Sequence, residues 1–499
     1  MVSSSESSYS SDSIDSTGDE GYHSHQHIRA GMRGNNNSLI PYRSNASPGY
    51  WLCILLPMAF ATRYMRATSC APSLTYDMLS IAAAGMGIES ICFFMYMFLN
   101  IGLLPKLLIS FIPGILTSCL YKVVLAQGWP FGVFWGFGVT FCYQNVYIHI
   151  MRGFPRCFSF GEATIIVQGL MLFILNSILH IMFPVPISGE FNQLNAIMMH
   201  ALFFLLISCL ILCKFRRFRK PVSFYILLLA LVITVTCSPM TKPIPIFVVW
   251  NFIMNDPNRL YIILFYIILV GLTIITVRWQ LRNTEKASTS VRKIFHLLIL
   301  LVFVPGLLHQ CAFLYIASGV ALAVFTILEL MRILEIPPLG NSLKKAFASF
   351  SDEKDSGILA LTPFSLLIGC ALPIWIHPCP CGSNPAMANT GLPLLQLMSG
   401  LLATGVGDAA ASVIGSKFGR SKWHHNSRSF EGTFAFIVSI MLSIIALYYA
   451  DYIPMTHPKW FISITATIIT ALVEAHTDQI DNLVLPLVFY TLISLGPEN

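Results

Sequence analysis

The stretch Gly405-Val-Gly407-Asp408-Ala-Ala-Ala-Ser412-Val-Ile-Gly415-Ser416-Lys417-Phe-Gly419-Arg420 is dense in glycine, serine and charge, and long apolar runs flank it on both sides. The run Ser429-Phe-Glu431-Gly432-Thr433 follows closely. Read as a helix, Asp408, Ser412, Gly415 and Gly419 fall at i, i+4, i+7 and i+11, which is one face. That face offers a carboxylate, a hydroxyl and two places where backbone is bare. Lys417, Arg420, Lys422 and Arg428 come next. A carboxylate for a divalent ion, approachable backbone N–H groups and clustered cations together suit a polyphosphate. No G-x-x-x-x-G-K-[ST] loop occurs here, so a Walker A site is excluded. The same spacing also fits a small-residue packing face between membrane helices that ends in a basic loop.

The surrounding composition supplies the fold class. Of 499 residues, 55% are hydrophobic and 11% charged, and the mean hydropathy is +0.70. Soluble domains carry roughly 25% charged residues. A chain this apolar cannot cover itself with water-facing groups and reads as a polytopic membrane protein. The net charge of +7 is clustered, which points to membrane topology rather than nucleic-acid binding. Thirteen cysteines lie mostly in apolar runs, with Cys379 and Cys381 the one close pair; C-x-C spacing leaves both metal and disulfide open.

Residues 1–49 are rich in Ser, Asp, Gly, Asn and His and have no apolar core. They read as a disordered tail without a cleavable signal peptide. His23, His25 and His27 are expected to be solvated, and the sequons at Asn36 and Asn45 matter only on a lumenal tail. Beyond Tyr50 the apolar runs predict about 13 to 15 membrane helices at ~20 residues per crossing. Backbone groups in lipid must pair internally, so the expected class is an all-α bundle without a sheet domain. The expected organisation is a tail (1–49), an N-terminal helical region (50–285) and a catalytic region (286–499).

Basic loops recur every two spans. They are Lys214–Lys220, Arg278–Lys293, the loop with Lys344, Lys345 and Lys354, and Lys417–Arg428. By the positive-inside rule all four face the cytoplasm, and His377–Gly391 faces the opposite side.

Charge within membrane segments costs roughly 2.5–3.5 kcal/mol per residue on insertion scales, so each instance needs a reason. Arg292, Lys293 and His296 sit at a span's cytoplasmic mouth; a topological anchor is the plain alternative. Glu329 and Arg332 suit an intrahelical ion pair. The loop with Asp352, Glu353, Lys354 and Asp355 reads as solvated. Glu474, Asp478 and Asp481 fall at i, i+4 and i+7, beside Asn482. Three carboxylates on one face repel unless a cation lies among them, and oxygen ligands suit Mg²⁺. Phe154–Arg156 and Phe160–Ala163 form a turn and a span whose chemistry the spacing leaves open.

These motifs, taken together, resemble the dolichol kinase family within the polyprenol kinases. The resemblance rests on Arg292-Lys-Ile-Phe-His296, Lys354-Asp355 leading to Leu361-Thr362, Gly405–Asp408 with Ala411-Ser412 and Gly415-Ser416, Ser429–Thr433, and Glu474–Asn482. It covers roughly residues 285–499, with a looser echo at Phe158–Ala163. It implies transfer of phosphate from CTP to dolichol at the endoplasmic reticulum membrane, with the active site facing the cytoplasm. Nucleotide binding would fall to Gly405 through Thr433. Where the family carries paired lysines before the Phe-Glu-Gly-Thr run, this chain has Ser427-Arg428.

On that basis Asp408 is expected to hold Mg²⁺, with Glu474, Asp478 and Asp481 as further ligands. Backbone at Gly405, Gly407 and Gly415 would approach phosphate, and Lys417, Arg420, Lys422 and Arg428 would neutralise it. Asp478, Asp481 or Glu431 would take the alcohol proton. Arg292, Lys293, His296, Lys354 and Asn482 would complete the phosphate and substrate contacts. The alternatives are a phosphatidate-type cytidylyltransferase, another isoprenoid-alcohol kinase, or a secondary transporter.

Overall fold

The computed structural model describes residues 42–43, 46–62, 73–98, 103–182, 190–237, 244–282, 289–351, 357–378, 381, 393–424 and 428–496. Residues 98, 103–108 and 289–290 are described by their backbone alone. The expectations for His23, His25, His27, Asn36, Asn45, Lys354 with its charged neighbours, and Cys379 lie outside the described residues.

The helices in chain order are α1 (Leu55–Ala61), α2 (Leu74–Phe98), α3 (Leu103–Leu125), α4 (Trp129–Gly153), α5 (Phe160–Met182), α6 (Glu190–Lys214), α7 (Pro221–Thr236), α8 (Pro245–Met254) and α9 (Pro257–Arg282). They continue with α10 (Thr289–His309), α11 (Cys311–Ile333), α12 (Gly340–Phe350), α13 (Leu361–Ile376) and the short α14 (Leu394–Leu397). A π-helical segment, Leu401–Asp408, runs into α15 (Ala409–Phe418), and α16 (Phe430–Tyr449), α17 (His457–His476) and α18 (Asp481–Ser494) follow. Among the described residues the only strand-like pairing is one bridge, Lys422 to Ser429. Among the described residues, seven helices are long and apolar enough to cross a membrane: α2, α5, α6, α9, α10, α11 and α16. Shorter apolar helices, including α7, α8, α13 and α18, accompany them. The protein is an all-α, multi-pass membrane protein.

Two packing centres organise the bundle. Helices α1–α5 pack on one another through small and aromatic residues. Gly85 abuts Thr117 and Gly136 abuts Ser118, contacts that a Cβ would obstruct. In the C-terminal half, α18 is the central post. Its residues Leu483 to Phe489 are all buried, as expected of a helix apolar on every side. It packs against α13, α17 and the π segment. At its start the fit is backbone to backbone, because a Cβ on Gly369 would lie 1.9 Å from the Asn482 carbonyl oxygen.

From Tyr42 onward the chain belongs to one compact unit. Arg43 is buried at 2% exposure, and Pro48 O accepts a 2.9 Å bond from Gly161 N. A polar, non-helical segment is held here by hydrogen bonds to the rest of the bundle, Arg43 to Glu162 and Ser47 to Asp478 among them.

Candidate active site

The π segment sets Asp408. An i→i+5 turn inserted into a helix shifts the phase of the residues after it and recurs at functional sites. Here small residues permit it: Thr404 Oγ1 bonds back to Gly400 O at 2.8 Å, and Gly400 lets the Gly369 carbonyl approach. Asp408 ends this segment and is buried at 5% exposure. Its Oδ2 lies 2.5 Å from Lys293 Nζ and 3.5 Å from His296 Nε2, both on α10. His296 Nε2 also faces Asn482 Oδ1 at 3.3 Å. Both neighbours of Nε2 are acceptors, so Nε2 carries the hydrogen. His296 Nδ1 is buried without a hydrogen-bond partner among the described residues.

A second ion pair lies alongside. Arg428 Nη1 bonds both the carboxylate and the carbonyl of Glu474, and its Nη2 lies 3.7 Å from Asp481 Oδ2. Arg428 is delivered by a hairpin in which Trp423 N donates to Arg428 O and Phe430 N donates to Ser421 O, each at 2.9 Å. Trp423 stacks on Phe430 with centroids 3.9 Å apart and donates from Nε1 to Thr433 Oγ1 at 3.0 Å. Ser429 caps α16, accepting from Gly432 N at 3.1 Å, as an N-cap serine does. Gly432 and Gly415 are bare so that α15 and α16 can cross closely; a Cβ on Gly432 would sit 3.4 Å from Gly415 Cα.

Both ion pairs open onto one cavity of about 1200 Å³. Its polar end is lined by Arg292, Lys293, His296, Asp408, Ser412, Gly415, Ser416, Lys422, Arg428, Ser429, Gly432, Thr433, Glu474, Asp481 and Asn482. The remainder is walled largely by apolar side chains such as Leu269, Ile274, Val302, Phe325, Phe347 and Phe350 from α9 to α12. Three stretches far apart in sequence, 292–296, 408–433 and 474–482, thus meet at one place.

The structure does not bring every expected residue there. Gly405 and Gly407 are packing positions: a Cβ would lie 2.8 Å from Leu300 at the first and 2.8 Å from Phe436 at the second. Gly419 lies beyond the end of α15 rather than on its face. Lys417, Gly419, Arg420 and Glu431 are not among the cavity-lining residues. Glu431 instead accepts the backbone N–H groups of Arg420 and Ser421, each at 3.1 Å, and so shapes that turn.

The single helical face expected for Glu474, Asp478 and Asp481 does not form. Helix α17 ends at His476 and α18 begins at Asp481. Asp478, in the turn between them, faces Ser47, accepting from its N at 2.5 Å and its Oγ at 2.7 Å. Burial pushes the Asp478 carboxyl up, but these hydrogen bonds prevail and hold it below the ordinary carboxylate range.

Among the described residues no three His, Cys, Asp or Glu side chains stand close enough to form a metal cluster. Mg²⁺ does not require one, because it is commonly held by one or two carboxylates plus substrate phosphates. Asp408, Glu474, Asp481 and Asn482 all line the cavity with oxygen donors, Asp408 paired with Lys293 and Glu474 with Arg428.

Two further contacts bear on expectations from the sequence. Glu329 and Arg332 do form the expected pair, at 2.7 and 2.8 Å. Glu329 also accepts Ala360 N at 2.8 Å, and Arg332 lies over Phe347 at 4.3 Å, so the pair ties α11, α12 and the approach to α13 together on the cavity wall. Cys381 is disulfide-bonded to Cys311, 70 residues away in sequence. The open question of a Cys379–Cys381 bridge is thereby answered at Cys381, whose partner is the first residue of α11.

Comparison with known proteins identifies the family. The family model described as Dolichol kinase matches residues 138–423. The chain is 31% identical over 376 residues to the Dolichol kinase of Homo sapiens, covering 72% of this chain and 68% of that protein. It is 30% identical over 386 residues to Dolichol kinase EVAN of Arabidopsis thaliana, covering 70% and 66%. With the Dolichol kinase of Saccharomyces cerevisiae it shares 28% identity over 207 residues. No solved structure matches. The match spans the N-terminal bundle's end, the α10 cluster and the π segment, so the chain belongs to the dolichol kinase family of membrane-embedded, nucleotide-dependent phosphotransferases.

Proposed function

We propose that the protein transfers the γ-phosphoryl group of CTP to the terminal hydroxyl of dolichol, at the cytoplasmic face of the endoplasmic reticulum membrane. The observation that carries this is the amphiphilic cavity. Lys293, Asp408, Arg428, Glu474 and Asp481 line one part of it, and the rest, between α9, α10, α11 and α12, is largely apolar apart from the Glu329–Arg332 ion pair. A polyisoprenoid tail suits the apolar part, which leaves its hydroxyl at the polar end, where a nucleotide would enter from water.

Phosphoryl transfer asks for positioning and charge neutralisation more than for covalent chemistry by the protein. Arg292, Lys293, Lys422 and Arg428 line the polar end and would compensate charge on the transferring group and on CDP. Asp408, with Asp481 or Glu474, would hold Mg²⁺; when bound, that ion neutralises phosphate oxygens and orients the nucleotide. Lys293 offsets the charge of the buried Asp408 in the meantime, since a buried charge needs a paired one. Asp481 and Glu474 are the carboxylates placed to accept the alcohol proton. Asp478 and Glu431 are engaged elsewhere and drop out of that role. Ser412 and Ser416 supply hydroxyls along the same wall.

The orientation follows the charge. Lys214–Lys220, Lys344 and Lys345, and Lys417–Arg428 belong on the cytoplasmic side by the positive-inside rule. The Cys311–Cys381 disulfide joins segments expected on the lumenal side, where oxidising conditions preserve it.

The test uses membranes containing the protein, dolichol, and CTP labelled at either the α or the γ phosphorus. Label from the γ position in the lipid supports the kinase reading. Label from the α position would make the protein a cytidylyltransferase and overturn it. ATP in place of CTP tests the choice of donor.

A further inference from the structure

Glu162, at the start of α5, lies 119 residues from its ion-pair partner and outside the cavity. It is fully buried at 0% exposure, and Arg43 beside it is 2% exposed. Its Oε1 accepts Arg43 Nη2 at 2.6 Å and the backbone N–H of Ile480 at 2.8 Å. Its Oε2 accepts Ser159 N at 2.8 Å. The same Arg43 Nη2 donates to Asp478 O at 3.3 Å. Gln479 adds a tie on either side: its Oε1 accepts Ser159 Oγ at 2.5 Å, and its Nε2 donates to Ser47 O at 2.8 Å.

Every residue of the turn 478–480 is therefore held by a group from the N-terminal half of the chain. Ile480 is the N-cap residue of α18. The next two residues, Asp481 and Asn482, line the cavity, and Asn482 meets His296, which faces Asp408. From the other side, Gly369 sits against the Asn482 carbonyl with no room for a methyl group. The first turn of α18 is thus clamped between α13 and the Glu162 carboxylate.

We infer that Glu162 is a positioning residue for phosphoryl transfer: with Arg43 it fixes the height and rotation of the first turn of α18, and through it Asp481 and Asn482. The charge is what makes the clamp work. One carboxylate accepts from a guanidinium and two backbone N–H groups, three donors that a neutral amide cannot all satisfy. This rests on the placement of the phosphate site proposed above.

The experiment compares wild type, Glu162→Gln, Glu162→Asp and Arg43→Met as purified full-length protein in lipid nanodiscs, with activity expressed per folded molecule. The expected result for Glu162→Gln is a roughly ten-fold or greater fall in kcat and a higher Mg²⁺ concentration for half-maximal rate, the size typical of losing a group that orients a ligand-bearing side chain. The KM for dolichol stays within about two-fold, because the apolar part of the cavity is untouched. Glu162→Asp restores part of the rate, and Arg43→Met shifts it in the same direction as Glu162→Gln, which keeps the test alive if one variant fails to fold. Lower yield or thermal stability with unchanged kcat and Mg²⁺ dependence would make Glu162 a purely structural residue and overturn the inference. Asp408→Asn in parallel separates the two levels: full activity there would sink the phosphate site itself, whatever the Glu162 variants do.

Discussion

Lys293 Nζ and Asp408 Oδ2 lie 2.5 Å apart across 115 residues of sequence, with His296 3.5 Å from the same oxygen. Neither group belongs in a membrane segment alone. Paired, each offsets the other's burial, and both line the cavity of about 1200 Å³. Breaking one side of such a buried pair leaves an uncompensated charge.

Arg428 pairs with Glu474 and approaches Asp481. Arg428→Ala is expected to lower kcat/KM for CTP by about 100-fold, through lost phosphate neutralisation. Arg428→Lys should recover only part of this, because an ammonium cannot reproduce the fork that spans Glu474 and Asp481. Steady-state kinetics with varied CTP measure both; equal activity of Ala and Lys variants would remove Arg428 from the phosphate site.

The carboxylates separate into two groups. Asp481→Asn should reduce kcat by roughly 100-fold and raise the Mg²⁺ requirement, because Asp481 lines the cavity. Asp478→Asn should act mainly on thermal stability, because Asp478 is committed to Ser47 and Gln479. Parallel activity and melting measurements on the two variants check the division. The reverse pattern would restore Asp478 to the chemistry.

Gly407 is a packing residue. A side chain there meets Phe436 and Ile440 of α16, so Gly407→Val should destabilise the protein by about 1–3 kcal/mol through overpacking. A detergent thermal-shift series reads this. A variant that melts normally but loses CTP affinity would return Gly407 to the nucleotide site.

In the proposed orientation, the Cys311–Cys381 bond at the start of α11 belongs on the oxidising side of the membrane. In sealed microsomes with the cytoplasmic face outward, a membrane-impermeant reductant and maleimide should leave both thiols unlabelled, and permeabilisation should expose them. Labelling without permeabilisation would invert the proposed orientation.

The fold class and the meeting of distant motifs were legible in the sequence because lipid tolerates so few charges. Arg292–His296, Asp408, Arg428 and Glu474–Asn482 each stood out against apolar surroundings, and four such islands on one side of a bundle have few places to go. Glycine was ambiguous: Gly405, Gly407 and Gly415 all lack a Cβ, and only packing reveals that the first two admit Leu300 and Phe436 while the third both lets α16 approach and lines the cavity. The break at Thr477 was hidden because Glu474, Asp478 and Asp481 have helical spacing, and a tertiary hydrogen bond from Ile480 to Glu162 overrides it. Arg43 and Cys311 carried no local signal, since their partners lie 119 and 70 residues away.

The most direct test of the central claim is single-turnover transfer from γ-labelled CTP to dolichol by purified wild-type, Asp408→Asn and Lys293→Met proteins of verified fold. Both substitutions are predicted to slow transfer by about 100-fold or more in the folded protein, with dolichol binding retained, because both remove charge placed where phosphate reacts. Wild-type transfer rates in folded Asp408→Asn protein would contradict the account and move the reaction centre away from the Lys293–Asp408 pair.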